Sequence, residues 1–171
     1  MAEFPIISLG DSGVGALPGS VDSLAGRTYM VDTPGHSRGK PSLDAIEAIS
    51  NGGRRELWVD SGPVDTDDVI DLLVAGASAV VIRHGGRYWR DLAIEALGLT
   101  ENVVLWFGKA DLEGVAQEMR WFMGKGIVEF VVWTGPLSGL PEGGRYYSRR
   151  KGAVRDGPDW TEWKLLEVEG R

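Results

Sequence analysis

The β-prone runs of this chain end in, or lead directly into, side chains that can move protons or hold charge. Asp11 follows the run Ile6 to Leu9, Asp32 ends Thr28 to Asp32, and Asp60 ends Glu56 to Asp60. Arg83 and His84 follow Ala79 to Ile82, Lys109 and Asp111 follow Val103 to Phe107, and Thr134 follows Val128 to Trp133. Two carboxylates at neighbouring strand ends, Asp32 and Asp60, can form a general acid–base pair or share a divalent cation. Each can equally cap the loop or helix that follows it. Arg83 and His84, with the backbone N–H groups of Gly85 and Gly86 behind them, can receive an anion. The plainer alternative is a surface ion-pair cluster. His36, in a loop of Gly, Ser and Arg, is read as a solvent-exposed residue. The chain has no cysteine, which excludes a thiol nucleophile, a thiolate metal site and a disulfide frame.

Positioning such residues requires a repeating scaffold, and the spacing supplies one. The central residues of the second to sixth runs, Met30, Trp58, Val81, Leu105 and Val131, lie 28, 23, 24 and 26 positions apart. Helical patterns fill the intervals. Asp65 is placed to cap a helix carrying Val69, Leu72 and Leu73, and Ser42 one carrying Leu43, Ile46 and Ile49. Trp89, Leu92, Ala93, Ala96 and Leu97 keep the spacing of a single apolar face, as do Leu112, Val115, Ala116, Met119 and Met123. The strands themselves are nearly continuously apolar, as expected when both faces are covered. Strand, helix, strand at this interval implies right-handed crossovers and a parallel sheet. The class is α/β, either an open doubly wound sheet or a (β/α) barrel.

Composition narrows the partners. With 171 residues, 43% apolar and 25% charged, the chain suits one globular domain with a core. A net charge of −7 argues against a general nucleic-acid or anionic-membrane surface. No apolar stretch approaches the roughly 20 residues of a bilayer span, and no secretory leader pattern opens the chain, so a cytoplasmic protein is expected. Arg145, Arg149, Arg150, Lys151 and Arg155 cluster among acidic residues and read as a solvated, mobile surface. Among the seven tryptophans, Trp58, Trp89, Trp106 and Trp133 are assigned to packing rather than to a ligand platform.

Residues 10 to 20 read GDSGVGALPGS, after an apolar run. This resembles the phosphate loop of small GTPases, while Asp32-Thr33-Pro34-Gly35-His36 resembles their DxxG motif and Gly108-Lys109-Ala110-Asp111 their NKxD. The chemistry of such a loop needs a lysine for the terminal phosphates and a hydroxyl for Mg²⁺. Ala16 and Leu17 stand in those places. Pro18 and Gly19 then interrupt the first turn of the helix that should follow. A nucleotide binder is therefore only the remote alternative.

A second resemblance covers more of the chain. YMVDTPGHSRGKPSLDAIEAIS, residues 29–50, is similar to the second strand, loop and helix of HisA-type proteins, the phosphoribosylformimino-aminoimidazole-carboxamide ribotide isomerases of histidine biosynthesis. LWVDSGPVDTDDVIDLLVAGASAVVI, residues 57–82, resembles the glycine-rich loop, helix and fourth strand of that family. Gly62 matches the last of three glycines, Asp68-Val69 a D-V pair, Leu72-Leu73 an L-L pair and Ala75-Gly76-Ala77 an A-G-A. The resemblance implies a (β/α)₈ barrel that binds a substrate with two phosphates. It also implies two catalytic aspartates, ending the first and fifth strands. Here those positions hold Ser8 or Leu9 and Gly108. Asp60 and Ser61 replace two loop glycines, and an acidic side chain there should repel phosphate. The isomerase reaction is thus not expected.

A full barrel takes about 250 residues, so this chain is read as an incomplete or shortened barrel with about six parallel strands. The first helix is missing from residues 1–137, and residues 138–171 form a Gly/Pro-rich loop and irregular tail, with a hairpin as one possibility. An open sheet exposes unpaired backbone, so either the tail closes it or a homo-oligomer covers its edges. The expected site is a pocket at the carboxyl ends of the strands for a small, phosphate-bearing molecule. Gly62, Arg83, His84, Gly85 and Lys109 are its binding candidates, and Asp32, Asp60 and His84 its catalytic candidates. Asp32 and Asp60 are weak metal candidates, and no cofactor is expected. The alternative is a non-catalytic assembly subunit.

Overall fold

The computed structural model describes residues 3–10, 26–52, 55–109, 112–134, 138–151 and 163–168. The side chains of some residues at element ends, and of the whole last strand, are not part of that description. The described residues form eight strands: β1 Glu3–Leu9, β2 Gly26–Asp32, β3 Arg55–Asp60, β4 Ala79–Arg83, β5 Val103–Lys109, β6 Glu129–Thr134, β7 Arg145–Lys151 and β8 Trp163–Val168. The helices are α1 Thr33–Arg38, α2 Leu43–Asn51, α3 Thr66–Val74, α4 Trp89–Leu97 and α5 Leu112–Met123.

Strands β1 to β7 pair in sequence order, each parallel to the next. β8 then runs antiparallel to both β7 and β1 and closes the barrel. The architecture is a shortened (β/α) barrel, not an open doubly wound sheet. Two expectations change in detail. Seven parallel strands replace about six, and the presumed irregular tail supplies both β7 and β8. Closure by the tail also removes the open edges that called for a homo-oligomer.

The last parallel strand is RYYSRRK, which reads both as a basic surface and as part of a possible hairpin or pair of edge strands. Its alternation is nevertheless that of a strand with two working faces. Tyr147 points into the barrel, edge-on to Trp58 with ring centroids 5.0 Å apart. Tyr146 points outward, stacks on Phe130 at 5.6 Å and donates its hydroxyl to the Pro141 carbonyl at 2.6 Å. Arg145 pairs with Glu129 at 2.8 Å, and the Arg149 guanidinium lies 4.6 Å from the Trp133 ring centroid. The cluster read as a solvated surface is therefore partly built into the barrel.

The strands' two faces feed two apolar cores. Inside the barrel, Ile6, Tyr29, Trp58, Ala79, Val81, Val104, Val131 and Tyr147 are buried together. Below them Arg27 and Glu56 pair at 3.0 Å. The outward residues, among them Leu57, Val59, Val80, Leu105 and Val132, pack under the helices with Ile46, Val69, Leu72, Ala93, Ala96 and Met119.

The helices follow the sequence patterns closely. Asp65 caps α3 by accepting from the Asp68 N–H at 3.0 Å. At its other end Ala77 N–H reaches the Leu72 carbonyl and Gly76 N–H the Leu73 carbonyl, with Gly76 at φ +102. That is the left-handed closure that glycine permits, and it accounts physically for the A-G-A. GDSGVGALPGS, from Asp11 onward, lies outside the described residues, and so does the expectation that the first helix is missing. Among the described residues no helix is long and apolar enough to cross a membrane.

Candidate functional site

The carboxyl ends of the strands separate the candidates into two groups, by the side of the sheet they face. Asp32 and Asp60 differ most. Asp32 lies on the outward face of β2 at the N-terminus of α1, fully buried. One carboxylate oxygen accepts from Gly35 N–H at 2.9 Å and from the Ser42 hydroxyl at 2.7 Å, and the other from Ser42 N–H at 2.8 Å. These bonds join the start of α1 to the start of α2. The D-x-x-G pattern here is a cap, and a Cβ on Gly35 would fall 2.2 Å from that carboxylate. Ser42 opens α2 as expected, but its side chain serves Asp32 rather than its own helix.

Asp60 points inward from β3 and is also fully buried, in a different setting. Arg83, at the end of β4, grips it with Nε at 2.9 and 3.1 Å and Nη2 at 2.8 Å. The Tyr29 hydroxyl, from β2, donates to the carboxylate at 2.8 Å. His36 Nε2, from α1, lies 2.7 Å from Oδ1 and 3.2 Å from the Asp60 carbonyl oxygen. Both partners are acceptors, so Nε2 carries the proton. Burial alone would push Asp60 up, but the His36 and Arg83 hydrogen bonds and the Arg83 charge hold it below the ordinary carboxylate range. Burial, and then the same carboxylate, push the Tyr29 hydroxyl well above its usual value. The expected repulsion of phosphate by Asp60 is thus cancelled by the arginine that shares its charge.

His36 was read from sequence as a solvent-exposed loop residue, and the structure corrects this. The ring is 23% exposed and belongs to α1, which runs through Thr33-Pro34-Gly35. Pro and Gly made the segment look like loop, although an Asp cap followed by Pro in the first turn is also a helix start. No sequence signal placed His36 beside Asp60, since that contact joins α1 to the end of β3.

The Arg83-His84 pair does not act as a unit. Successive strand residues face opposite sides, so Arg83 turns inward while His84 turns out. His84 sits between Trp89 and Phe107, at 4.8 and 5.1 Å, with Nε2 3.2 Å from Glu118. Burial, and then the charge of Arg90, push His84 below the usual histidine range. Arg90 pairs with that same Glu118 carboxylate and so offsets its pull on the ring. His84 thereby leaves the candidate site.

What remains is a cleft of ≈ 270 Å³ between the loops that follow β3 and β4. His36, Gly62, Arg83, Gly85, Gly86 and Arg87 line it, with Pro63, Val64, Ile82, Tyr88, Trp89 and Leu92 as its apolar part. Gly62, Gly85 and Gly86 have φ of +69, +118 and +81, conformations that favour glycine. A Cβ on Gly62 would stand 2.5 Å from His36 Nδ1. Lys109 ends β5 opposite Thr134; both side chains, and Asp11 and Asp111, lie outside the described residues.

Gly108, where the resemblance to HisA-type proteins would lead one to expect an aspartate, has a physical account here. Gly108 leaves room for the Trp106 ring, whose Cη2 would stand 2.7 Å from a Cβ there. Trp106 in turn stacks under the Arg83 guanidinium at 4.4 Å and lies 6.0 Å from Trp133. The place of a carboxylate is filled by indole. Asp32 and Asp60 are not arranged to share a cation, their oxygens being occupied by protein donors. Among the described residues no group of three or more His, Cys, Asp or Glu is placed to hold a metal ion. Compared with known proteins, the chain matches no family model and no curated sequence.

Proposed function

We propose that this protein binds a small anionic molecule, of the phosphorylated-metabolite class, in the cleft between the loops after β3 and β4. One observation carries the reading. In a chain of net charge −7 the cleft is lined by Arg83, Arg87 and His36 and, among the described residues, by no carboxylate. Arg83 is preorganised there, because Asp60 fixes one edge of its guanidinium and Trp106 one face. Gly85 and Gly86 carry no side chain to obstruct an oxyanion at their backbone. The resemblance to HisA-type barrels supports a phosphate-bearing ligand at this end of the strands. It does not support that family's reaction, since Gly108 and the end of β1 provide neither of its aspartates.

Thermal unfolding in the presence of inorganic phosphate, sulfate and simple sugar phosphates tests this. A saturable stabilisation is expected, about 2–3 kcal/mol at 100-fold excess over the dissociation constant. That corresponds to several degrees in Tm for a domain of this size. Arg87→Ala leaves Asp60 and its partners untouched, and it should weaken phosphate binding about tenfold through loss of one charged hydrogen-bonding partner. Arg83→Lys should remove most of the effect. No stabilisation by any anion, or equal stabilisation of both variants, overturns the reading.

A further inference from the structure

Resting on that reading of the cleft, we propose that His36 is its proton-transfer group: Asp60 holds the ring through Nε2–H, and Nδ1 takes a proton from the anionic ligand that Arg83 anchors. The geometry assigns the two nitrogens separate tasks. Nε2 faces two acceptors, the Asp60 carboxylate at 2.7 Å and the Asp60 carbonyl at 3.2 Å, which fixes it as the donor. In the neutral ring Nδ1 is then the nitrogen with the free lone pair. Nδ1 lies on the Gly62 side of the ring, where a Cβ added to Gly62 would stand 2.5 Å from it. Gly62 and His36 both line the cleft. The glycine at this position therefore leaves room beside the basic nitrogen that any larger residue would occupy.

The remaining members fit the same task. When Nδ1 accepts a proton, the ring becomes an imidazolium whose other N–H is already on a buried carboxylate, so the new charge is stabilised without rearrangement. The proton leaves an O–H or acidic C–H of the ligand, and the electron pair stays on the ligand beside Arg83. Asp60 and Tyr29 act through His36 and are positioning residues. The ligand class is accordingly a small oxyanion, carboxylate or phosphate ester, with an ionisable O–H or C–H within reach of Nδ1. Among the described residues, the charged and titratable groups about His36 are Asp60 from β3, behind it Arg83 from β4 and Tyr29 from β2, and Arg87 in the lining of the same cleft. On or beside its own helix, Arg38 donates to Ser42, and Asp32 is bonded to Gly35 and Ser42.

The chain has two histidines, which makes the test direct. Long-range ¹H–¹⁵N spectra of the full-length protein, titrated from pH 9 to 5 with and without inorganic phosphate, resolve His36 from His84; His36→Gln assigns the signals. Expected is the Nε2–H tautomer of His36 at high pH, with protonation at Nδ1 as pH falls. Phosphate should raise the His36 midpoint by about one pH unit, as an anion within a few ångströms does, and leave His84 unmoved. Arg87→Ala should diminish that response. An Nδ1–H tautomer, or a His36 midpoint indifferent to phosphate while phosphate still raises Tm, overturns this inference alone. If phosphate does not raise Tm at all, the binding reading fails first. Gly62→Ala, whose methyl group covers Nδ1, should abolish the phosphate response of His36; an unchanged response in the folded variant also overturns the inference.

Discussion

The residue that organises the candidate site is Asp60, and its energetics lie in its pairing rather than in its charge. A buried carboxylate with a bidentate arginine gains little over two well-packed apolar residues, but removing one partner leaves a charge that the interior cannot solvate. Arg83→Met should cost about 3–5 kcal/mol in urea unfolding at pH 7, and Asp60→Leu combined with Arg83→Met much less than the two losses added together. The pH dependence follows from the direction of the Asp60 shift. A carboxylate held below its unfolded value, about 3.9, adds stability above that pH and loses it as pH falls through the folded value. Urea midpoints of the native protein should fall between pH 4 and 2. Asp60→Asn should begin lower at pH 7 and fall less across that window. A parallel decline in both proteins would show that other groups carry the acid sensitivity. Gly108 poses the complementary question, since an acid restored there must displace the Trp106 ring. Gly108→Asp should cost about 1–3 kcal/mol and change tryptophan fluorescence, without creating a second proton-transfer group.

At the scale of elements, the sequence was most informative where one helix or strand carries its own signal. The caps of α3, the apolar faces of α4 and α5 and the 23- to 28-residue repeat of strand centres all reappear in the structure. Reading failed where an element depends on a distant partner. β7 looks basic until its arginines are matched to Glu129 and Trp133, and α1 looks like loop until Asp32 is bonded across it to Ser42. His36 was misread for the same reason, because α1 has meaning only as the element that carries a ring to the end of β3. Arg83 was legible as a candidate at the strand ends, whereas His84 was not separable from it without knowing which side each faces. A prediction belongs to this scale. Asp32→Ala removes three hydrogen bonds at the α1–α2 junction and leaves buried donors unpaired. The cost should be about 2–4 kcal/mol in chemical denaturation. Because α1 carries His36, the same variant should also broaden or shift the His36 signal while His84 stays in place. Loss of stability with an unperturbed His36 would mean that α1 is held by other contacts.

The whole molecule solves with one antiparallel strand a problem that a longer barrel solves with another βα unit. A parallel strand returning to β1 would need a crossover of a dozen or more residues, usually a helix. β8 instead comes back antiparallel beside β7 and pairs with β1, at Glu3↔Leu166 through Pro5↔Lys164. Closure of this kind satisfies the backbone groups that would otherwise stay open on two strands, and open edges are where sheets associate. Deleting residues 152–171 should therefore expose the edges of β1 and β7 together with interior aromatic surface at Trp58 and Tyr147. Light scattering coupled to gel filtration should find the truncated chain as dimers or larger species, with a broad, early thermal transition. The full-length chain should unfold in a single sharper one. The cleft provides a control, because β3 and β4, whose loops form it, pair with neither β1, β7 nor β8. If the truncated chain still binds phosphate while its association state changes, β8 serves closure alone. A truncated chain with the size and melting behaviour of the full-length chain would show that β1 and β7 meet without β8.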